Sequence, residues 1–212
     1  MCGEDCRISS KNRYNREIIL TYKSMSQKII LGTAGEIASG KDAVGDYLAL
    51  KYGALKLRFS QPLRDILDRV HLDQNRENMA KLSLYLRKAF GEDILSKVIL
   101  DEAEASDIEF VVVDGIRRFP DMVHMETDPN FYFCYVDATP EVRFERLTKR
   151  RQNSDDATKT AVQFEKDAKL ETETGIAELK DRAEFVIDNN GTLEELYAQI
   201  DGVVEELKKR SQ

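Results

Sequence analysis

The sequence predicts a three-layer α/β domain built on a mostly parallel central sheet, and three observations carry that expectation. Short apolar runs of strand length alternate along the chain with stretches of helical periodicity. One run, inside EFVVVDG from Glu109 to Gly115, is continuously apolar, the pattern of a strand buried on both faces. The first run, KIILGTAG, passes straight into glycines and then into a helix. At 212 residues and 42% hydrophobic, the chain suits one compact domain, or one domain carrying a small insertion.

Each element follows from local pattern. After the first strand, KDAVGDYLALKYG places Val44, Leu48 and Tyr52 at helical spacing and ends on Gly53. ALKLRFS predicts a strand over about Leu55 to Phe59. The QPLRDILDRV that follows reads as a helix with Ser60 as its cap, Pro62 in its first turn and Leu63, Ile66, Leu67 and Val70 as its buried stripe. MAKLSLYLRKAF and EDILSKVILDEAEA predict two helices broken at Gly91. FYFCYVD, Phe131 to Asp137, and EFVIDNNG, Glu184 to Gly191, supply the remaining strands. An amphipathic helix from about Thr192 to Lys209 closes the chain, with Leu193, Leu196, Ile200 and Val204 on one side.

Composition excludes several classes. Asp plus Glu total 39 against 32 Lys plus Arg, a formal charge of −7, so whole-surface attraction to nucleic acid or to anionic membrane is disfavoured and no nucleic-acid partner is expected. No apolar run approaches the roughly 18 residues of a membrane span. Cys2, Cys6 and Cys134, with His71 and His124, are too few and too scattered for a disulfide framework or a zinc site. Neither histidine sits beside a nucleophile or an acid at a catalytic spacing. The first 24 residues hold only the apolar patch Ile18 to Leu20, too short for a secretory core, so a cytoplasmic location is expected. The organisation predicted is an N-terminal extension over 1–26 and one domain over 27–212.

GEIASGKD, Gly35 to Asp42, fits G-x-x-x-x-G-K between a strand and a helix, the context such a loop requires to hold phosphate. Backbone N–H groups converge on phosphate oxygens, Gly40 lets the backbone approach closely, and Lys41 reaches the β- and γ-phosphates. A plain glycine turn explains Gly35 and Gly40 but not the Gly-Lys pair. Where such loops carry a Ser or Thr hydroxyl for Mg²⁺, this chain has Asp42 and then Ala43. Two roles stay open for Asp42: holding the ion directly or through water, or capping the helix.

Asp114 closes the FVVVD run, at the carboxyl end of a strand, where a metal-holding carboxylate belongs; a turn-forming Asp before Gly115 is the bland alternative. Arg117 and Arg118 follow, and a guanidinium there suits an acceptor phosphate. Arg143, Arg146 and Arg150 recur at i, i+3 and i+7 on one helical sector and would stabilise charge on a moving phosphoryl group. Their alternative is a solvated basic face paired with the acidic stretch after Asn153. That polar stretch between two strands reads as a mobile cover.

These residues resemble the P-loop kinases of small phosphorylated metabolites: nucleoside and deoxynucleoside monophosphate kinases, with dephospho-coenzyme A kinase and phosphomevalonate kinase as relatives. The resemblance runs from about Lys28 to Leu207, on GEIASGKD, FSQPLRDIL, LRKAFGEDIL, VVVDGIRRFPD, VDATPEVRFERLTKR and FVIDNNGTLEEL. It implies a P-loop NTPase fold with a helical acceptor-binding region over about 60–106 and an arginine-bearing lid over about 140–181. It implies ATP and Mg²⁺ as cofactors and a small phosphorylated acceptor, with Asp42 and Asp114 on the metal. Gly35, Ala38, Ser39, Gly40, Lys41, Asp42 and Ala43 would form the ATP phosphate loop, with Asn190 and Gly191 in the adenine-binding turn. Ser60, Pro62, Arg64, Arg87 and Arg117 would meet the acceptor, and Arg143, Arg146 and Arg150 would act from the lid. Asp167 looks like a lid acid that orients arginines, though a solvated acidic helix explains it equally.

The acceptor follows partly from chemistry, because a phosphate is already an anion at pH 7 whereas a ribose hydroxyl benefits from a general base. Dephospho-coenzyme A kinases carry an aspartate at the end of the second strand; this chain has Phe59-Ser60-Gln61 there and a carboxylate only at Asp65. A nucleoside monophosphate, with the deoxynucleotide branch closest, is therefore the expected acceptor, and dephospho-coenzyme A the alternative. Two other classes stay in view: a regulatory nucleotide-binding protein, although the guanine signature N-K-x-D is absent, and a nucleic-acid ATPase, which the acidity opposes.

Overall fold

The computed structural model of the chain describes residues 27–150, 164 and 171–211, without the side chains of Arg76, Arg150 and residues 171–174. The N-terminal extension and Asp167 lie outside the described residues.

In chain order the elements are β1 (Ile29–Ala34), α1 (Lys41–Tyr52), β2 (Leu55–Arg58), α2 (Gln61–Arg69), α3 (Arg76–Phe90), α4 (Ile94–Ala105) and β3 (Phe110–Ile116). There follow β4 (Phe131–Asp137), α5 (Pro140–Arg150), α6 (Glu171–Glu178), β5 (Phe185–Asp188) and α7 (Leu193–Arg210). Short 3₁₀ turns at Phe119–Asp121, Met125–Thr127 and Leu179–Arg182 bridge between them. The strands form one sheet in the order β2-β3-β1-β4-β5, every neighbouring pair parallel. The alternation of strands and helices thus resolves into the three-layer α/β fold the sequence predicts.

Strand periodicity sorts the core onto two faces. Ile30, Val111, Val113, Phe133 and Tyr135 pack on one side against Leu95, Ile99 and Ala103 of α4 and Leu63 of α2. Ile29, Leu31, Phe110, Val112, Cys134 and Val136 face the other way, against Val44 and Leu48 of α1 and Leu196, Ile200 and Val204 of α7. Each such aliphatic side chain, withdrawn fully from water, contributes roughly 1.5–3 kcal/mol. Cys134 behaves as a core hydrophobe, and burial pushes its thiol up to about 12.

Three local expectations are corrected. Ser60 precedes α2 but its side chain caps nothing: its backbone is helical (φ −82°, ψ −13°), not extended as a side-chain cap requires, and its carbonyl accepts the Arg64 N–H at 3.1 Å instead. Ile66 and Val70 are largely exposed, so α2 meets the core through Pro62, Leu63 and Leu67. Leu193 is exposed beside the α7 cap, where Thr192 and Glu195 form a reciprocal capping box, and Leu207 extends the buried ladder at the other end.

The sheet presents its carboxyl ends to one side, and a register shift shapes that side. Thr33 pairs with Asp114, but Ala34 pairs with Ile116, leaving Gly115 as the extra residue at φ +96°. Such a bulge bends the end of β3 beside the loop that follows β1. The Phe59 N–H bonds the Asp114 carbonyl at 3.1 Å, so α2 starts at the same end of the sheet.

Candidate functional site

The loop from Gly35 to Gly40 joins β1 to the N-terminus of α1 and adopts a strained path. Gly40 is left-handed at φ +98°, and so is Ala38 at φ +61°, a conformation that costs an ordinary residue roughly 1–2 kcal/mol. Strain of this kind persists where surrounding contacts over-determine it. Ser39 N–H closes the loop onto the Glu36 carbonyl at 3.0 Å, and a side chain at Gly35 would run into the Val136 carbonyl and the Ser39 hydroxyl. The Ser39 hydroxyl is itself buried with no hydrogen-bond partner. A buried hydroxyl without a hydrogen-bond partner, in a loop that runs into a helix N-terminus, suits an anion.

Asn189, at the carboxyl end of β5 and 4% exposed, supports this loop from outside. Its amide donates to the Ser39 carbonyl at 2.7 Å. Arg146 reaches the same carbonyl at 3.4 Å and the Asn189 side-chain oxygen at 3.4 Å. Arg143 is 4% exposed: Nη2 pairs with Glu36 at 3.0 Å, Nε donates to the Ala138 carbonyl at 3.1 Å, and Nη1 has no hydrogen-bond partner. Ala38, Leu147 and Phe164 form a small apolar cluster that seats α5 against the loop, and the Arg143 guanidinium lies 5.5 Å from the Phe164 ring centre. Arg143 and Arg146 thus both bear on the loop from Gly35 to Gly40, through Glu36 and the Ser39 carbonyl; the side chain of Arg150 lies outside the described residues.

On the inner side, Asp42 and Asp114 meet. Burial together with the neighbouring Asp42 carboxyl pushes the Asp114 carboxyl up to about 6, against the pull of Lys41 and Lys56. Asp114 Oδ1 is buried with no partner, while Oδ2 lies 3.9 Å from both Lys56 Nζ and Arg58 Nε. Asp42 sits inside the first turn of α1, whose N-cap is Gly40, so capping does not account for it. Two close carboxyls with an orphaned oxygen, beside the loop from Gly35 to Gly40, suit a divalent cation of the hard, oxygen-seeking kind. Asp114 lies within β3 and 5% exposed, not in the turn of the bland alternative.

The residues expected to meet an acceptor fall into separate groups. Arg87 of α3 donates to Asp121 Oδ1 at 3.0 Å, to the Glu92 carbonyl at 2.9 Å and to the Ser83 hydroxyl at 3.1 Å. Asp121, 2% exposed, also accepts the backbone N–H groups of Arg117 and Arg118 at 3.1 and 3.2 Å. Burial raises the Asp121 carboxyl and Arg87 opposes that. Arg87 and Arg117 are therefore brought to one buried carboxylate, and the Arg117 side chain stands exposed. Ser60, Pro62 and Arg64 lie at the start of α2, where Arg64 donates to Gln74 at 2.9 Å. Asn190 and Gly191 are exposed beyond β5, and the Asn190 side chain accepts the Thr139 N–H at 2.7 Å.

Four residues of this region escaped the sequence reading: Glu36, Lys56, Asp121 and Asn189. Period-2 alternation in LKLR puts Lys56 and Arg58 on one face, a usable signal for Lys56. The stretches VVVDGIRRFPD and FVIDNNGTLEEL contain Asp121 and Asn189, but the partners that set their roles, Arg87 and the Ser39 carbonyl, lie 34 and 150 residues away.

A family model described as an AAA domain matches residues 34–163. A UPF0200 protein of Methanocaldococcus jannaschii is 26% identical over 181 residues, covering 84% of this chain and 90% of that protein. Among solved structures, shikimate kinase from Bacteroides thetaiotaomicron aligns at TM-score 0.57 and 16% identity, over 84% of this chain and 98% of that one. Dephospho-CoA kinase from Campylobacter jejuni aligns at TM-score 0.55 and 15% identity, over 88% and 100%. Among the described residues, no helix is long and apolar enough to cross a membrane.

Proposed function

The chain belongs to the AAA domain family and has a P-loop kinase-like fold; on that premise we propose that it transfers the γ-phosphoryl group of ATP to a small phosphorylated acceptor, most closely a nucleoside or deoxynucleoside monophosphate. The observation that carries the reading is the meeting of Asp42 and Asp114 beside Lys41 and the strained loop. Lys41 would hold the β- and γ-phosphates, and the loop N–H groups with the α1 N-terminus would fix the triphosphate. Asp42 and Asp114 would hold Mg²⁺, which when bound neutralises charge on the β- and γ-oxygens. Arg143 and Arg146, already on the loop, would stabilise charge on the group in transfer from the lid side, with Arg150 next along the helix.

The acceptor class rests on the chain that leaves β2, Phe59-Ser60-Gln61, which carries no carboxylate of its own. The nearest carboxylate in sequence there, Asp65, is exposed and accepts a hydrogen bond from Gln61 at 2.7 Å. A hydroxyl acceptor benefits from a positioned base; a phosphate acceptor does not. Arg117, exposed at the end of β3 and held in register by Asp121, would meet the acceptor phosphate, with Ser60, Pro62 and Arg64 on the opposite wall and Arg87 behind. Asn190 and Gly191 would border the adenine.

The test is product identification by mass spectrometry after incubation with Mg·ATP and a panel of ribo- and deoxyribonucleoside monophosphates, dephospho-coenzyme A, phosphomevalonate, shikimate and gluconate. A phosphorylated nucleotide is the expected product. Phosphorylation of a hydroxyl acceptor alone would overturn the acceptor class while leaving the kinase reading in place.

A further inference from the structure

The most consequential departure in the phosphate loop is a charge: Asp42 stands where such loops usually carry a neutral hydroxyl. That carboxylate lies beside Asp114 at the start of α1, next to the loop proposed to hold the triphosphate, so it adds like-charge repulsion toward a polyanionic ligand. A further positive charge beside the pair, added to that of Lys41, would offset it when no metal is bound.

Lys56 of β2 occupies the position for that task. Its Nζ lies 3.2 Å from the Asp42 carbonyl, 2.8 Å from Asp46 Oδ1 and 3.9 Å from Asp114 Oδ2. The side chain is 12% exposed, unusual for a lysine, and its charge therefore acts with little solvent screening. The stem reaches the site by crossing α1 at Gly45, where an added Cβ would stand 2.8 Å from Lys56 Cε and 3.1 Å from Cδ. Helix, strand and glycine thus combine to bring one ammonium onto the Asp42 backbone and within 3.9 Å of Asp114, with Asp46 as its nearest carboxylate. Arg58, on the same face of β2, is half exposed and so a weaker contributor.

We propose that Lys56 is a positioning residue of the nucleotide site, whose fixed charge offsets the negative charge introduced by Asp42 and so lets this loop bind a nucleoside polyphosphate. The inference rests on the nucleotide reading above and goes beyond it by coupling positions 42 and 56.

The experiment is a double-mutant cycle on the full chain, reading equilibrium affinity for a fluorescent ADP analogue in EDTA and in Mg²⁺. In EDTA, Lys56→Met weakens binding about tenfold or more, whereas Lys56→Arg stays within roughly threefold of wild type. In the Asp42→Ser background the same Lys56→Met change has little effect, because the charge it offsets is gone. Equal losses from Lys56→Met in both backgrounds would overturn the proposal, showing Lys56 to act independently of Asp42. If Lys56→Met fails to fold, Gly45→Ala, which displaces the lysine stem, carries the cycle with the same expected coupling. Absence of ADP binding by wild type would contradict the nucleotide reading itself, an outcome distinct from binding without coupling.

Discussion

The side-chain amide of Asn189 donates to the carbonyl of Ser39 at 2.7 Å, tying the end of the last strand to the loop after the first across 150 residues of sequence. The same amide stands where a side chain on Gly40 would have to go. The loop's left-handed path and its tertiary support are therefore one construction, and both ends of it are open to mutation.

Asn189→Ala leaves the Ser39 carbonyl without this partner, at a cost of about 1–3 kcal/mol, and loosens the loop. Thermal unfolding should show the loss of stability, and ADP binding should weaken in parallel. A variant with wild-type melting and binding would remove Asn189 from the site.

Gly40→Ala meets two obstacles at once, a backbone at φ +98° and the Asn189 amide. Nucleotide affinity should fall by at least about tenfold, a change of roughly 1.4 kcal/mol, while far-UV circular dichroism stays that of an α/β domain. Titration with a fluorescent nucleotide checks this.

Asp114 makes a prediction with opposite signs in two assays. Its carboxyl is pushed up to about 6 in the folded chain from an ordinary value of 3.8. Between those values the folded state binds more protons than the unfolded, so this group's contribution to metal-free stability declines as pH rises from about 4 to 6 and stays low above. Asp114→Asn removes that decline: at pH 8 without metal it should unfold at a higher denaturant concentration than wild type, and below pH 4 the difference should vanish. Mg·ATP turnover should nonetheless drop at least about a hundredfold, a loss of some 2.7 kcal/mol in transition-state stabilisation. Lower metal-free stability of Asp114→Asn at pH 8 would contradict the electrostatic description.

Arg87→Ala strands the Asp121 carboxylate in a buried setting, since the two side chains are 11% and 3% exposed. Breaking such a pair from one side costs about 3–5 kcal/mol. Urea unfolding should register most of that, and Arg87→Lys should recover little, because one ammonium cannot match the three contacts to Ser83, Glu92 and Asp121. A loss below about 1 kcal/mol, the scale of a solvated surface pair, would mean the interaction is not buried in solution.

Much of the architecture was legible because it rests on local pattern. FVVVD and FYFCYV are continuously apolar because both faces of β3 and β4 are covered, and each strand begins and ends within a residue or two of its run. GEIASGKD marks, through its glycines, the strand-to-helix loop that the structure shows between β1 and α1. What stayed hidden depends on tertiary contact. The capping role expected of Ser60 yielded to a helical backbone at that residue, and the stripe through Ile66 and Val70 to exposure. Asn190 was singled out at the end of β5, but the adjacent Asn189 is the one that turns inward, a difference of one residue that strand alternation decides. The resemblance places Arg87 on the acceptor; its pairing with Asp121, across 34 residues, is a tertiary contact that no local pattern specifies.

The most direct measurement is ADP release from Mg·ATP by the purified chain and by Lys41→Ala, across the nucleoside monophosphate panel. Wild type should show one strong acceptor, and Lys41→Ala should turn over roughly a thousandfold more slowly with that acceptor, the loss expected when a charge on the transferring group is removed. Undiminished turnover by Lys41→Ala, or no acceptor that raises ADP release above background, would contradict phosphoryl transfer at this loop.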